Sequence, residues 1–535
     1  MDESSATDAR PWWESGVIYQ VYPRSFQDSD GDGVGDLSGI VERLDYIASL
    51  GVNAIWLSPI FPSPMSDFGY DVADYCDVDP IFGDLDQFDR LLAATHARGL
   101  KLILDFVPNH SSDQHDWFKA SRSSRDHPKR DWYIWRDAAP DGGPPNNWIS
   151  DFGGSAWEWD PATGQYYLHA FLKEQPDLNW RNPELRAAMM DVMRFWMDRG
   201  VDGFRIDVLW HIVKAEGLPD NPPNPDWTPE RTERDRVLQC HSTDQPEAHA
   251  FSADMRALAD SYGDRVLIGE IFLPNERHAL WYGTPERPQV HLPFNFQLVE
   301  NRWDAATLAR VIGDYEASLP PYGWPNWVFG SHDAPRIAAR IGEAQARVAA
   351  MLLLTLRGTP TLYQGDEIGI GPVEIPPDRI RDPQHFRQPA LDIGRDRSRT
   401  PMPWDGSFNA GFSSAEPWLP LNADWAVRNV AAQERDSGSI LVLYRTLLAL
   451  RRSTPALSIG GYSAAKSGGD VLTFERQLGT DRLLVALNLS AEPRNLPLPA
   501  GTQVAEILVS TLPVRPFDHV LIADEGLVLR LKDIA

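Results

Sequence analysis

Two cysteines, Cys76 and Cys240, are all the thiol chemistry in this chain of 535 residues. Two cannot make a disulfide framework for a chain of this length, so both are expected to be reduced and unpaired. Long apolar runs are also missing. No stretch reaches the roughly 18 residues that a membrane-spanning helix needs, and the longest, Val348 to Leu356, reads as a buried helix. The opening residues, MDESSATDARPWW, hold no basic segment followed by an apolar one, so no secretory signal is expected. Lys and Arg form no cluster. Against 50 of them stand 76 Asp and Glu, a formal net charge of −26. That excess argues against nucleic acid and other anionic partners. No HExxH pair or Cys/His cluster suggests a catalytic zinc, and no GxGxxG or GxxxxGK[ST] loop follows a strand. The expectation is a soluble, cytoplasmic protein of two or three domains, with no organic cofactor and no nucleic-acid, membrane or obligate protein partner.

What is present is an alternation. Short runs rich in β-branched and aromatic residues predict strands at 17–22, 54–58, 101–106, 203–206, 266–269, 291–296, 327–330 and 359–363. Helical patterns lie between them, over 40–50, 85–98 and 184–199, each followed by a glycine suited to the left-handed C′ position. Eight strands alternating with helices predict an α/β fold, a (β/α)8 TIM barrel of parallel strands. Two stretches break the rhythm. Residues 111–178, rich in Trp, Pro, Gly and Asp, read as a small inserted domain after the third strand, and residues 364–435 as a long excursion after the eighth. From residue 456, VLTFERQ, RLLVALNL, LPLPAG and GLVLRL read as short strands of a C-terminal antiparallel β-sandwich. The expected division is a barrel over 1–110 and 179–455, an insert over 111–178 and a β domain over 456–535.

Barrels of this kind carry their chemistry at the C-terminal ends of the strands. There the third strand ends in DFVPNH (Asp105, Asn109, His110), the fourth in GFRID (Arg205, Asp207), the fifth in LIGE (Glu270) and the seventh in FGSHD (His332, Asp333). A single acid after a strand is commonly a helix cap; four strands sharing the pattern is a poor fit to capping alone. Paired carboxylates are what glycosidic cleavage requires, one as nucleophile and one to protonate the leaving oxygen. Arg205, two residues from Asp207, would favour the ionised form of that acid, while burial and neighbouring carboxylates would raise the pKa of Glu270. A second motif, DSDGDGVGD over 28–36, alternates carboxylates with glycines, as a hard cation prefers. It is like the first half of an EF-hand loop but has Gly39 where the distal Glu would stand. The bland alternative is a solvated acidic turn.

DFVPNH, GFRIDVLWH, GEIF and FGSHD resemble, in order and strand position, the four signature regions of glycoside hydrolase family thirteen, the α-amylase family. QPDLNW (175–180), GTPTLYQGDEIG and RTPMPW resemble its oligo-1,6-glucosidase and α-glucosidase branch. The resemblance covers nearly the whole chain. It implies an exo-acting retaining α-glucosidase that releases glucose from short oligosaccharides, with Asp207 as nucleophile, Glu270 as acid/base and Asp333 stabilising the transition state. It further implies that Arg205 orients Asp207, and that His110 and His332 bind hydroxyls. Asp67 and Tyr70 would close the nonreducing end of the glucose pocket, Tyr70 as a stacking platform and Arg399 as the partner of Asp67. Asp28, Asp30, Asp32 and Asp36, with the Val34 carbonyl, match the branch's calcium site, where magnesium is an alternative. Val208 after the nucleophile accompanies α-1,6 cleavage in this branch, with α-1,4 links, sucrose and trehalose still open. Enzymes that transfer or isomerise glucosides, such as trehalose synthase and sucrose isomerase, use the same carboxylates. Transporter heavy chains share the barrel but have a membrane anchor and typically lack the acids that stand here.

Overall fold

The computed structural model describes residues 10–534; the first nine residues, where the signal-peptide reading began, and Ala535 lie outside the described residues. Eight short strands form one parallel sheet: β1 (Ile18–Val21), β2 (Ala54–Leu57), β3 (Lys101–Phe106), β4 (Gly203–Ile206), β5 (Val266–Glu270), β6 (Leu292–Phe294), β7 (Asn326–Val328) and β8 (Thr359–Tyr363). Their spatial order is β6-β5-β4-β3-β2-β1-β8-β7. A further parallel bridge between Asn295 and Trp327 joins the two edges, so the sheet closes into a (β/α)8 barrel and leaves no open edge.

Every residue of these strands except Lys101 is buried, and the two faces separate by parity. Ile18, Ala54, Trp56, Ile103, Val266, Ile268, Leu292 and Phe294 pack together inside the barrel. Their chain neighbours Tyr19, Ile55, Leu57, Leu102, Leu104 and Leu267 pack outward against the helices. Side chains alternate along a strand with period two. Counting on from Ile103, Gly203 and Ile268 puts Asp105, Arg205, Asp207 and Glu270 on the inward face at the strand ends. The pattern that fills the core therefore also aims the polar residues at the barrel mouth.

Local chemistry sets the helix ends. Asp84 caps Leu85–Ala97 by accepting from Gln87 N at 2.8 Å. Asn182 caps Pro183–Arg199, with Pro183 in the first turn and Gly200 left-handed (φ 107°) at the end. The helix expected over 40–50 is instead two, Leu37–Glu42 and Leu44–Leu50, with the break at Arg43.

After β3 the chain makes a helix, Asp116–Ser123, and a three-stranded antiparallel sheet of Trp135–Arg136, Gln165–Leu168 and Trp157–Asp160. Aromatic pairs fill it, Phe118 lying parallel to Trp135 at 5.6 Å. After β8, residues 364–435 run through short helical turns before the helix Ile440–Ser453 returns to the barrel. The C-terminal region holds a six-stranded antiparallel sheet and a two-stranded ribbon. LPLPAG, expected as a strand, is not one: Pro497 and Pro499 have no N–H to give a ladder. The strand lies beside it at Thr502–Ser510, where two register shifts broke the alternation that sequence reading relies on. No helix among the described residues is long and apolar enough to cross a membrane.

Candidate active site

A cavity of about 450 Å³ opens at the C-terminal ends of the strands, and Asp67, Tyr70, His110, Arg205, Asp207, Glu270, His332 and Asp333 all line it. At its floor one guanidinium gathers three acids. Arg205 pairs in register with Asp105 on the adjoining strand. Its Nη1 donates to Asp105 Oδ1 and to Asp207 Oδ1, both at 2.8 Å, and its Nη2 lies 2.8 Å from Glu270 Oε2. Burial pushes all three carboxyls up, Asp105 to about 6 and Asp207 and Glu270 above their ordinary values, and Arg205 opposes the shift in each. Three buried carboxyls cannot all be ionised against one guanidinium, so the group retains a proton near neutrality.

The turn after Asp207 is strained. Val208 is left-handed (φ 36°, ψ 46°), an uncommon conformation for a β-branched residue. That turn aims the Val208 amide at Glu270 Oε2, 2.9 Å away, so Val208 ties the strand that carries Asp207 to Glu270. Gly203 is required on the same strand by a backbone approach, and Gly269 on the next strand sits in tight side-chain contact. A Cβ on Gly203 would stand 2.2 Å from Val266 O, and one on Gly269 3.0 Å from Leu209 Cδ2.

Beside this group, Tyr70 Oη contacts His332 Nε2 at 2.7 Å and donates to Asp105 Oδ2 at 3.1 Å. His332 also meets Gln20 through Nδ1 (2.8 Å) and Asp333 through Nε2 (3.0 Å). Burial holds His332 and His110 down to about 4, so both are neutral at physiological pH and offer one donor and one acceptor each. Asp333 goes the other way: burial pushes it up, but His332, Arg395 and Arg399 together hold it well below the usual carboxylate range. Gln175, from the QPDLNW segment, links His110 and Asp67 at 3.2 Å each.

The pairing expected between Asp67 and Arg399 is corrected. Arg395 is the partner of Asp67, Nη2 to Oδ1 at 2.7 Å, and is itself held by Asp382 at 2.6 Å. Arg399 is fully buried behind the cavity wall, where it donates to His332 O at 3.0 Å and to Asp333 Oδ1 at 2.9 Å. The short 3-10 turn Asp396–Ser398 separates the two arginines and sends Arg397 outward to Asp392. Three arginines alternate over five residues, and spacing alone does not say which one faces the cavity.

For the outer half of the cavity, sequence reading points to segments, the insert 111–178 and the long loop after the fourth strand, but to no individual residue. Phe272 and Phe296 lie parallel with centroids 4.0 Å apart. Facing them are segments from three long connections. Arg234 Nη1 pairs with Asp151 of the insert at 2.6 Å, Gly154 N donates to Glu233 at 3.0 Å, and Glu233 N donates to Gln388 at 2.9 Å. Glu300 adds a further carboxylate to the wall. GEIF, which carries Phe272, was the one signal available for a single residue; nothing marked Arg234 or Glu300.

Away from the cavity, Asp28, Asp30 and Asp36 bring one carboxylate oxygen each within 4.8 Å of one another, whereas Asp32 is not in that set. Asp28 accepts from Asp30 N, Gly31 N and Gly33 N, which folds the loop around it. Ser413 Oγ donates to Asp28 at 2.5 Å, and Trp418 N donates to Gly33 O at 3.0 Å, so the loop is stitched to the excursion after β8.

Comparison with known proteins agrees with this architecture. Residues 20–460 match the family described as alpha amylase, catalytic domain. The chain is 43% identical over 505 residues to the probable alpha-glucosidase of Rhizobium meliloti, covering 92% of this chain and 91% of that one. It is 39% identical over 518 residues to the oligo-1,6-glucosidase of Heyndrickxia coagulans, covering 90% and 92%. Among solved structures, an alpha-glucosyl transfer enzyme superposes with a TM-score of 0.93 at 42% identity, over 98% of this chain and 100% of that one. The barrel, the acids gathered at its mouth and these matches have one reading: the chain belongs to the α-amylase family, glycoside hydrolase family thirteen.

Proposed function

We propose that this protein is an exo-acting retaining α-glucosidase that releases glucose from the nonreducing end of short α-1,6- or α-1,4-linked glucosides. The observation that carries the proposal is the shared guanidinium: Asp207 and Glu270 contact opposite ends of Arg205. A retaining mechanism needs carboxyls about 5–5.5 Å apart, whereas an inverting one leaves roughly 6.5–9.5 Å for water. In the first step an Asp207 oxygen bonds to the anomeric carbon as the glycosidic C–O bond breaks, and Glu270 gives its proton to the departing oxygen. In the second, Glu270 takes a proton from water, whose oxygen displaces Asp207. Asp333, ionised beside Arg395 and Arg399, accepts from the ring hydroxyls, and neutral His110 and His332 bind hydroxyls beside it. The Asp67–Arg395 pair closes the far end, so a chain cannot run through, and its charges are placed to hold the terminal 4-hydroxyl.

Proton NMR of isomaltose and maltose hydrolysis tests this. The first product should be α-glucose; a β-configured product rules out retention, and early mixed oligosaccharides from starch rule out the closed pocket. Transfer of glucose to an acceptor sugar is the second reading, and the Phe272–Phe296 pair beside the acids favours it as a place for an acceptor to rest.

The same reading puts a structural calcium or magnesium ion at the 28–36 loop. The donor set is all oxygen, as a hard cation prefers, with Asp28 and Asp36 buried and Asp30 exposed. Asp28, Asp30 and Asp36 would hold it, with Asp32 and the Val34 carbonyl as further donors. It would fix the loop against residues 412–418, none of which lines the cavity. The protein is read as working in the cytoplasm on soluble oligosaccharides, with no protein or nucleic-acid partner.

A further inference from the structure

The cavity wall is strongly acidic. Seven carboxylates and three guanidiniums line it, with no lysine among the lining residues, and the chain as a whole carries a formal charge of −26. None of the three guanidiniums is free to meet a new anion. Arg205 is spent on Asp105, Asp207 and Glu270, and Arg395 on Asp67, Asp382 and Asp333. Arg234, the one cation of the outer half, is held by Asp151 at 2.6 Å and lies 3.6 Å from Asp235. Opposite stands Glu300, with no ion pair among the described residues. Glu300 is exposed at the rim of the cavity; partial desolvation there raises its carboxyl and Arg234 opposes that rise. Arg387, on the neighbouring segment, gives its guanidinium to the carbonyls of Phe152 and Gly153 and does not line the cavity.

The outer half is where the departing group must sit, because the closed inner half takes the glucose. We infer that this protein accepts only glucosides whose aglycone is uncharged or cationic, and that Glu300 and Asp235 are the specificity-determining residues that turn away phosphorylated aglycones. A phosphate on the aglycone's 6-hydroxyl would enter beside Glu300 and Asp235 with no unpaired cation to receive it. Like charges brought together at this rim repel, and because Glu300 is exposed and the Asp235 side chain 39% exposed, the repulsion is open to screening by salt. The glucose half of the site has no part in this choice. The inference rests on the glucosidase reading above, and its test separates the two.

The test compares one disaccharide, isomaltose, with the same disaccharide phosphorylated on the 6-hydroxyl of its reducing-end glucose, so the scissile bond is unchanged. Glucose release is followed at pH 8 and low ionic strength. Wild type should prefer the plain disaccharide in kcat/KM by on the order of a hundredfold, and added salt should narrow the gap. Glu300→Lys should shrink the ratio by about tenfold or more, and Asp235→Asn and Glu300→Gln by less. If wild type takes both substrates within a factor of about three, or if all three variants leave the ratio unchanged, the inference is overturned. If isomaltose and p-nitrophenyl α-glucoside are both left intact by wild type, it is the glucosidase reading that fails. Should Glu300→Lys not fold, the near-isosteric Glu300→Gln and Asp235→Asn still decide the matter.

Discussion

The floor of the cavity and its rim are built in different ways. The floor comes from strand ends. Asp105, Arg205, Asp207 and Glu270 are placed by the alternation that also packs the barrel interior, and each charge there meets another within 2.8 Å. The rim comes from loops. Residues 151–154, 232–235 and 384–388 belong to three separate excursions, tied together by Arg234–Asp151, Gly154–Glu233 and Glu233–Gln388. A site on strands inherits the rigidity of a closed sheet, whereas a site on loops is held only by contacts among the loops. The proposed function accordingly assigns chemistry to the floor and choice of aglycone to the rim.

The sharpest way to break that division is Asp207→Ala. It should lower kcat on isomaltose by on the order of 10⁴-fold or more, with the melting temperature little changed. Substantial residual turnover would remove Asp207 from the chemistry. Next comes the closed end. Arg395→Ala should cost about a hundredfold in kcat/KM, because it leaves the buried Asp67 and Asp382 carboxylates unpaired. Asp67→Ala and Arg395→Ala should be strongly non-additive in a double-mutant cycle, whereas Asp67→Ala and Arg399→Ala should couple weakly. The reverse pattern would restore the Arg399 pairing. Arg234→Ala probes the rim. It should change kcat/KM between isomaltose and maltose by roughly tenfold without altering hydrolysis of the glycosyl-enzyme, and an equal loss for every substrate would make Arg234 part of the floor.

Two smaller effects bear on stability. Burial holds five histidines, His110, His115, His169, His278 and His332, down to about 4 in the fold, against about 6.5 when unfolded. The unfolded chain then binds more protons between those values. The stability these neutral rings contribute is fully present above pH 6.5 and is lost as pH falls toward 4. Asp71, Asp105 and Asp366, pushed up to about 6, 6 and 7, oppose this over part of the range. The melting temperature should still fall from pH 6.5 to 4; a flat profile would mean the histidines titrate normally. Last, prolonged chelation should lower the melting temperature by a few degrees, since a ligand at a hundredfold its Kd contributes about 2.7 kcal/mol. Activity of the folded protein should hold. Unchanged melting, with no bound ion detected by elemental analysis, would leave the 28–36 loop an acidic turn.

Legibility followed the same line as the two halves of the cavity. The eight strands were readable to within a residue or two at their ends, because buried parallel strands are short, apolar and punctuated by polar residues at one end. The acids at those ends were readable for the same reason. Arg395 was not, since three arginines alternate between Arg395 and Arg399 and a single 3-10 turn decides which faces inward. The strand Thr502–Ser510 was hidden by its register shifts, and LPLPAG attracted attention through apolar residues that do pack, Leu496 and Leu498, but outside any ladder.

Sequence by itself settled the barrel, the family and the inward direction of Asp105, Arg205, Asp207 and Glu270. Each of those follows from residues close in the chain and from a period of two along a strand. Tertiary structure alone decided the rest: which arginine meets Asp67, how Val208's left-handed turn reaches Glu270, and how Phe272 comes to lie against Phe296. It alone also brought Arg234 to Asp151, 83 residues away in the chain. Contacts between distant loops depend on where the closed barrel sets their ends, and no local pattern of residues encodes that placement.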